Sequence, residues 1–152
     1  MHLTTVEKTL LLKAERFCAY RERCSFEVKQ KMRELKADEK TAEKIISSLK
    51  EDDFLNDERF ARLFTSGKFR IKRWGKNKIR AELRMKKIEE GIISNALASI
   101  DEHNYEETMK FLMRKKEREL KGAKTKDDNA KIFRFLLSKG FESHLVLQLL
   151  NQ

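Results

Sequence analysis

The stretch Phe54–Ile88 reads FLNDERFARLFTSGKFRIKRWGKNKIRAELRMKKI, and it combines two helix starts with a dense run of positive charge. Asn56 predicts the first start, because its side chain can accept from the free N–H groups of a first turn, and the acids after it favour the positive end of the helix dipole. Gly75 precedes the second helix. Within Lys68–Lys87, ten Lys or Arg side chains stand against the single acid Glu82, a net charge of +9 in a chain that carries +10. The charge is local, and we expect a function to depend on it.

Composition predicts a nearly all-α protein. The 152 residues include no proline and only five glycines, and 39% of them are charged. Residues that form β-turns are therefore scarce, whereas residues that lose little rotamer freedom in a helix are abundant. Cys18 and Cys24 have neither a CxxC spacing nor a neighbouring histidine, which favours reduced thiols over a disulfide framework or a zinc site. No stretch has the apolar length of a signal peptide or membrane span, so a cytoplasmic location is expected.

Three short helices are predicted before residue 54. Thr4 and Glu7 have the spacing of a capping box at the start of the first. Ser25 is predicted to cap the second and Asp38 the third. Apolar residues at helical spacing define their buried faces: Leu10, Leu11, Ala14, Phe17 and Cys18; Val28, Met32 and Leu35; Ala42, Ile45, Ile46 and Leu49.

The same pattern follows twice more along the chain. In the second round, Leu55 is predicted to pack on Phe60 as a hydrophobic staple across the Asn56 cap. In the third round, residues 121–129 are predicted as a loop and Asp128 as the cap of the helix that follows. The apolar stripes of these two rounds are Phe60, Leu63, Phe64, Gly67 and Ile71; Ile79 and Leu83; Ile92, Ile93, Ala96, Leu97 and Ile100; Tyr105, Met109 and Leu112; Ile132, Phe133, Leu136 and Leu137; Leu145, Val146, Leu149 and Leu150.

An internal repeat of about 50 residues relates the three rounds. A shift of 53 residues, for example, superposes Ile79 on Ile132 and Leu83 on Leu136 without a gap. We therefore expect three tandem three-helix, helix-turn-helix-like repeats that span residues 1–55, 56–103 and 104–152. Units this small are marginal alone, because a chain of roughly 60 residues buries only about 60% of its unfolded surface. They are expected to stack in series into an elongated, curved molecule.

Few residues suggest catalysis or a bound metal. The chain has no glycine-rich phosphate loop, no HExxH motif and no nucleophile with a neighbouring base. His2, His103 and His144 are isolated from one another, and the acid pairs at 52–53 and 127–128 are more typical of helix starts than of cation sites. We expect no enzymatic activity, no catalytic residue, no cofactor and no metal.

The basic run is predicted to bind a polyanionic or acidic partner. Its residues recur along one flank of the predicted fifth helix, and a solvated face would normally mix both signs of charge. The predicted contact residues are Lys68, Arg70, Lys72, Arg73, Trp74, Lys76, Lys78, Arg80, Arg84 and Lys87. A secondary basic patch, which is also typical of a solvent-exposed helix, comprises Lys110, Arg114, Lys115, Arg118 and Lys121.

Trp74 lies inside the basic run and has two interpretations. It could anchor the turn between two helices, or it could serve as a stacking platform for a base or a hot spot for a protein partner. The residue type suits both roles equally.

These residues resemble the central signature of the RecX family of bacterial recombination regulators. The resemblance is carried by residues 54–61, the pair Trp74-Gly75, Ile79, Glu82, Leu83 and residues 86–88, and by Phe135-Leu136 with Lys139-Gly140-Phe141 near the C-terminus. Two positions depart from the family pattern. Asn56 stands where the family usually has Asp, which keeps the capping chemistry. Lys87 stands where a Gly is common, at a cost on the order of 1 kcal/mol if the residue is left-handed.

The resemblance implies a non-enzymatic modulator of the RecA recombinase. Members of the family bind along the groove of the RecA filament on DNA and suppress its ATP hydrolysis, strand exchange and co-protease activity. A monomer that acts on the RecA filament is therefore expected, with DNA a candidate ligand, directly or through the filament, and with no membrane partner. The residues alone leave open an alternative, a helix-turn-helix-like protein that acts on DNA without RecA.

Overall fold

The structure is a computed structural model that describes residues 2–121 and 125–152, and every helix or strand in those ranges is an α-helix. The helices are α1 Thr5–Tyr20, α2 Ser25–Glu34, α3 Glu39–Glu51, α4 Asp57–Arg70, α5 Lys76–Met85, α6 Glu90–Ala98, α7 Glu102–Glu119, α8 Lys126–Ser138 and α9 Ser143–Leu150. Helices α1 to α3 pack on one another, as do α4 to α6, and α8 packs against both α7 and α9. The predicted all-α class and three-helix repeats are confirmed. None of the described helices combines the length and the apolar character needed to cross a membrane.

Side-chain caps begin several helices where the sequence predicts them. At α1, Glu7 N–H donates to Thr4 Oγ1 at 3.1 Å and Thr4 N–H donates to Glu7 Oε1 at 3.0 Å, so the capping box is formed. Asp38 and Asn56 accept from the N–H three residues on at 2.7 and 2.9 Å. The predicted caps are therefore confirmed. Each was predictable because a cap involves only residues that are neighbours in the chain.

Helix α2 begins one residue earlier than predicted. Cys24, rather than Ser25, is its N-cap residue. Glu27 reaches back and accepts from the Cys24 backbone N–H at 3.1 Å. Ser25 is the first helical residue, and its side chain contacts the second unit instead of capping α2.

Helix α8 is capped by Thr125 instead of Asp128. The Thr125 hydroxyl accepts from Asp128 N–H at 3.1 Å, and the Asp128 carboxylate reaches back to the Thr125 N–H. This reciprocal pair satisfies two free N–H groups where a single cap would satisfy one. Residues 126–129, predicted as loop, are consequently the first turn of α8, whereas residues 122–124 of that predicted loop lie outside the described residues.

Buried side chains form two cores, one in the first unit and one shared by the second and third. The first core lies among α1, α2 and α3, and Leu55 completes it. The second runs from α4 to α9 and includes Phe60. Because Leu55, only 1% exposed, packs backward onto the helices before it, the predicted staple between Leu55 and Phe60 does not form.

The buried face of α4 is rotated from the predicted stripe. Phe60 is buried and Phe64 stacks on it with ring centroids 5.7 Å apart, but Leu63 and Ile71 are 55% and 75% exposed. Successive residues are about 100° apart around a helix axis, so Leu63 and the buried Ala61 lie on opposite sides of Phe60. Ile71 follows the last residue of α4, so the periodicity of the helix does not determine whether its side chain is buried.

The molecule is more extended than a compact monomer of the same mass. It exposes 9808 Å² of accessible surface, whereas a compact 18.1 kDa monomer exposes roughly 8,100 Å². Serial stacking of three small units accounts for the excess.

Several helices end on a left-handed residue that is not glycine. In the described ranges Lys36, Asp53, Arg73, Lys87 and Lys121 have φ angles between 56° and 62°. Lys36 and Lys87 share their position in the repeat with Gly140, whose φ is 101°. The backbone cost foreseen for Lys87 is therefore present.

Replacing Lys87 with glycine is expected to raise the free energy of unfolding by about 0.5–1 kcal/mol, since glycine adopts positive φ without steric cost. Urea-induced unfolding measures the change. As a control, Lys86→Gly lies one residue earlier at a φ of −87° and should destabilise the protein. A loss of stability in Lys87→Gly would show that the Lys87 side chain makes contacts that outweigh its backbone cost.

Candidate partner-binding surface

The end of α4, the turn at residues 71–75 and the start of α5 carry most of the predicted contact residues. The turn is closed by two backbone hydrogen bonds, from Arg73 N–H to Phe69 O and from Trp74 N–H to Lys68 O, each 3.1 Å long. The left-handed Arg73 reverses the chain between them. As a result, Lys72 and Arg73 are exposed while Trp74 packs against the second core.

Trp74 is partly buried and is covered by two lysines. The ammonium groups of Lys68 and Lys78 lie 4.9 and 4.6 Å from its ring centroid. The electron-rich face of an indole attracts a cation at this distance. The position of Trp74 favours an anchor that holds two lysines beside the turn, because a stacking platform needs an open ring face.

Arg73 connects the turn to α7. Its guanidinium carbon lies 4.5 Å from the ring centroid of Phe111, which is 42% exposed. Arg70 and Arg73 line a groove of about 620 Å³ between α4 and α7, with Glu107 on the other wall. The groove therefore mixes both signs of charge.

Lys76 is positioned by the third unit. Its backbone N–H donates to the Tyr105 hydroxyl at 2.8 Å, and that hydroxyl donates to a Glu142 carboxylate oxygen. Its ammonium group lies 5.1 Å from the Tyr105 ring centroid. Burial, followed by the hydrogen bond to Glu142, raises the pKa of Tyr105 well above its ordinary value, so the hydroxyl keeps its proton and remains the donor.

Farther along α5, some of the predicted positive charge is matched by an acid. Arg84 forms two hydrogen bonds to Glu90, Nε to Oε1 at 2.5 Å and Nη2 to Oε2 at 3.2 Å. The hydrogen bonding from Arg84 lowers the pKa of Glu90. Arg80 donates to Asn77 Oδ1 at 2.9 Å. The flank of α5 is thus less uniformly cationic than the sequence suggests.

Lys87 lies apart from the turn at residues 71–75. It borders surface pockets lined by residues of the first unit and of α4, among them Phe26, Arg33, Asp57 and Glu58. The structure therefore does not bring Lys87 together with Lys72 and the other residues of the turn.

The secondary patch on α7 is divided. Lys110 pairs with Glu106 at 3.3 Å and Glu107 at 3.8 Å. Lys115 is exposed on α7, and its charge acts on Lys139 of the third unit. Arg114, Arg118 and Lys121 are exposed.

Lys139, on the third unit, belongs to this surface and was missed by the sequence reasoning. Its ammonium group donates to the Lys72 carbonyl oxygen at 3.0 Å. Burial, followed by the nearby charges of Lys78, Lys115, Arg73 and Lys72, lowers the pKa of Lys139. These five side chains, which we call the junction cluster, join parts of the primary and secondary patches.

Two glycines bring the second and third units into backbone contact beneath the junction cluster. Gly75 N–H donates to Lys139 O at 2.7 Å, and Asn77 N–H donates to Gly140 O at 2.9 Å. A Cβ on Gly75 would lie 2.3 Å from the Gly140 carbonyl carbon, so no side chain fits there. Together with the bond from Lys76 N–H to Tyr105, these contacts satisfy three of the free N–H groups at the start of α5. The third unit therefore occupies those three donors.

Within residues 2–121 and 125–152, no group of three His, Cys, Asp or Glu side chains is placed to hold a metal ion. Cys18 and Cys24 are free, buried thiols, and burial raises the pKa of each to about 11. Thiols of this kind are weak nucleophiles at neutral pH.

Comparison with known proteins identifies curated relatives. The chain is 37% identical over 119 residues to Regulatory protein RecX of Clostridium botulinum (strain Eklund 17B / Type B), covering 76% of this chain and 54% of that protein. It is 36% identical over 144 residues to Regulatory protein RecX of Clostridium perfringens (strain 13 / Type A), covering 92% of this chain and 60% of that protein. The chain thus spans 54% to 60% of the length of these relatives.

Solved structures share the fold. The crystal structure of RecX from Lactobacillus salivarius superposes with a TM-score of 0.86 at 24% identity, covering 95% of this chain and 96% of that one. Family models for the second and third three-helix domains of RecX match residues 56–97 and 104–150. Because these two matches together span more than half of the chain, the protein belongs to the RecX family of regulatory proteins.

Proposed function

We propose that this protein is a negative modulator of the RecA recombinase that binds the RecA–DNA filament and suppresses its ATPase, strand exchange and co-protease activities. The observation that carries the proposal is the junction cluster, in which cations from two units converge and the Lys139 ammonium group lies on the Lys72 carbonyl oxygen at 3.0 Å. A negatively charged partner relieves the mutual repulsion of cations gathered in this way. Membership of the RecX family directs the choice of partner to RecA.

The partner surface centres on the turn at residues 71–75. Lys72 and Arg73 are exposed there, and Trp74 holds Lys68 and Lys78 beside them. Basic residues that are already paired with acids, such as Arg84 and Lys110, contribute less, because binding a new anion must first displace the existing one. The protein acts by occupying a site on the filament, without a reaction or cofactor of its own.

The combined substitutions Lys72→Glu, Arg73→Glu and Arg80→Glu are expected to weaken inhibition of the DNA-dependent ATPase of RecA by more than tenfold. Reversed charges repel an acidic or DNA-bearing partner where the native side chains attract it. The measurement is the concentration that halves RecA ATPase activity, with circular dichroism to verify unchanged helical content.

A matched control reverses the same number of charges on α1, with Lys8→Glu, Lys13→Glu and Arg16→Glu, all of which are exposed. This variant should inhibit RecA as the native protein does. Full inhibition by a folded Lys72, Arg73 and Arg80 variant, or an equal loss in the α1 control, contradicts the proposed surface.

A further inference from the structure

A groove of about 430 Å³ lies at the joint between the first and second units. One face of α2 supplies most of its lining, through residues at helical spacing: Ser25, Phe26, Lys29, Gln30 and Arg33. Ile46 of α3 and Lys87, in the turn after α5, complete it. We call this feature the α2–α3 groove. None of its residues belongs to the junction cluster.

Two apolar side chains line the α2–α3 groove and connect it to both cores. Phe26 is half-buried and packs against the second core, whereas Ile46 is half-buried and packs against the first. Each side chain is therefore supported by protein and still borders the groove. Apolar side chains with a few polar groups beside them are typical of a site that takes up an apolar part of a ligand.

Every charged side chain that lines the α2–α3 groove is a cation. Lys29 pairs with Glu39 at 3.4 Å. Arg33 and Lys87 are exposed, and neither forms an ion pair within 4.0 Å among residues 2–121 and 125–152. The groove thus combines an apolar lining with two cations that have no acidic partner.

Lys87 also borders a second pocket, which has the contrary charge. That pocket is lined by Lys50 and by four acids, Asp53, Asp57, Glu58 and Glu89. An anionic ligand is consequently attracted to the α2 side of Lys87 and repelled from the other side. The charge pattern determines which of the two pockets an acidic ligand occupies.

Contacts across the joint hold the two sides of the α2–α3 groove together. The Ser25 N–H and hydroxyl donate to the Asp57 carboxylate at 2.7 and 2.8 Å. Lys86 Nζ lies 3.5 Å from Glu27 Oε2, and the same carboxylate accepts from the first turn of α2. Because Lys87 follows Lys86 directly, these contacts place it beside α2 of the first unit.

Lys87 occupies this position at a backbone cost. Its φ angle is 59°, and the third unit has Gly140 at the equivalent position. Glycine adopts positive φ without that cost. Backbone strain of this kind is concentrated at binding and catalytic sites, and the side chain that Lys87 contributes borders the groove.

We propose that the α2–α3 groove binds an acidic peptide segment, which packs an apolar side chain against Phe26 and Ile46 and pairs its carboxylates with Arg33 and Lys87. A guanidinium group forms paired hydrogen bonds to a carboxylate, and an ammonium group adds charge attraction. A nucleic-acid strand would satisfy the cations but leave the apolar side chains without a partner, so the combination favours a peptide. The proposal does not rest on the proposed function, whose surface centres on the turn at residues 71–75, and its test contains no RecA.

Fluorescence anisotropy with two labelled peptides tests the apolar contact. The probe is a peptide of about twelve residues in which one phenylalanine is flanked by glutamates, and alanine replaces the phenylalanine in the matched peptide. At about 0.15 M salt, attraction between distant charges is screened. The phenylalanine peptide is expected to bind at least about fivefold more tightly. Equal affinity for the two peptides would leave charge attraction alone and overturns the inference.

Charge-removing substitutions test the two cations. Arg33→Gln and Lys87→Gln are each expected to weaken binding of the phenylalanine peptide about threefold to tenfold. The matched control is Lys121→Gln on the third unit, because Lys121 is also exposed and left-handed, with a φ of 60°. It should change the affinity by less than about twofold. Unchanged binding by both groove variants, or an equal loss in Lys121→Gln, contradicts the site.

Two further variants separate binding from folding. Lys87→Gly should bind the peptide as weakly as Lys87→Gln does, although it is expected to unfold at a higher urea concentration than the native protein. Ile46→Ala, with its helical content verified by circular dichroism, should reduce the advantage of the phenylalanine peptide over the alanine peptide to less than about twofold. Native affinity in Lys87→Gly, or an undiminished advantage in Ile46→Ala, counts against the groove.

A labelled single-stranded oligonucleotide distinguishes a peptide from a nucleic acid as the ligand. At the same salt concentration, its affinities for Arg33→Gln and for the native protein are expected to agree within about twofold. A loss of oligonucleotide affinity as large as the loss of peptide affinity would assign the groove to nucleic acid and overturn the inference.

Discussion

Replacing Gly75 with alanine is expected to lower the free energy of unfolding by about 3 kcal/mol or more. An alanine Cβ would lie 2.3 Å from the Gly140 carbonyl carbon and 2.4 Å from the Phe141 backbone nitrogen. Because these atoms are backbone, the overlap can be relieved only if the third unit moves away from α5. That movement breaks the hydrogen bonds that Gly75 and Asn77 donate across the joint. Urea-induced unfolding followed by circular dichroism measures the loss.

Gly67 supplies the matched control for this substitution. It lies within α4, and a Cβ added there meets nothing within 4 Å. Gly67→Ala is expected to stabilise the protein by about 0.5–1 kcal/mol, since alanine loses less backbone entropy in a helix. The same substitution should thus lower the free energy of unfolding at Gly75 and raise it at Gly67. Equal unfolding midpoints for Gly75→Ala and the native protein would mean that the two units are not in contact as described.

The joint between the first and second units has a different chemistry. Ser25 donates from both its N–H and its hydroxyl to the Asp57 carboxylate, at 2.7 and 2.8 Å. Arg59 Nε donates to Glu22 Oε1 at 2.9 Å. Polar contacts connect these units, although Cys24 also reaches the second core, whereas the second and third units share an apolar core. The proposed partner surface therefore spans the more extensively packed joint.

Features that depend on neighbours in the chain were predictable. The caps of Thr4, Asp38 and Asn56 needed only a side chain and the N–H groups after it. The burial of Leu55 and the exposure of Leu63 were not predictable in this way, because each depends on which helix packs against which side. An apolar residue at helical spacing identifies a face of a helix only to within one residue, and tertiary contacts choose among the alternatives.

The candidate surface also combines features that are local in the sequence with features that depend on packing. The basic run was visible because its charges are clustered within one short segment of the sequence. Lys139 was not assigned to it, because its hydrogen bond to Lys72 spans 67 residues and exists only through the packing of two units. One signal was available: the repeat aligns Lys139 and Gly140 with Lys86 and Lys87, and the glycine marks where a backbone must approach closely. The pairing of Arg84 with Glu90, across the turn between α5 and α6, also lay outside the helical spacings that sequence reasoning uses.

Replacing Tyr105 with phenylalanine is expected to lower the free energy of unfolding by about 2–3 kcal/mol. Tyr105 is 5% exposed, and its hydroxyl accepts from Lys76 N–H and donates to Glu142. Without the hydroxyl, a backbone N–H and a carboxylate at the joint lose their partner. The matched control is Tyr20→Phe, at the other tyrosine of the chain, which is 84% exposed. That change should alter stability by less than about 0.5 kcal/mol.

The stability lost in Tyr105→Phe should depend on pH. This dependence distinguishes the contribution of the hydroxyl's hydrogen bonds from that of the packing of the ring. Burial and the bond to Glu142 raise the pKa of Tyr105 above its ordinary value. The unfolded chain therefore releases this proton first, at about pH 10, and the stability that the hydroxyl contributes falls as the pH rises further. We expect the difference in unfolding free energy between the native protein and Tyr105→Phe to be constant from pH 7 to about 9.5. Above pH 10 it should shrink by up to about 1.4 kcal/mol per pH unit. Urea titrations of both proteins up to pH 11 measure this, and a difference that stayed constant would show that the hydroxyl ionises equally in the folded and unfolded states.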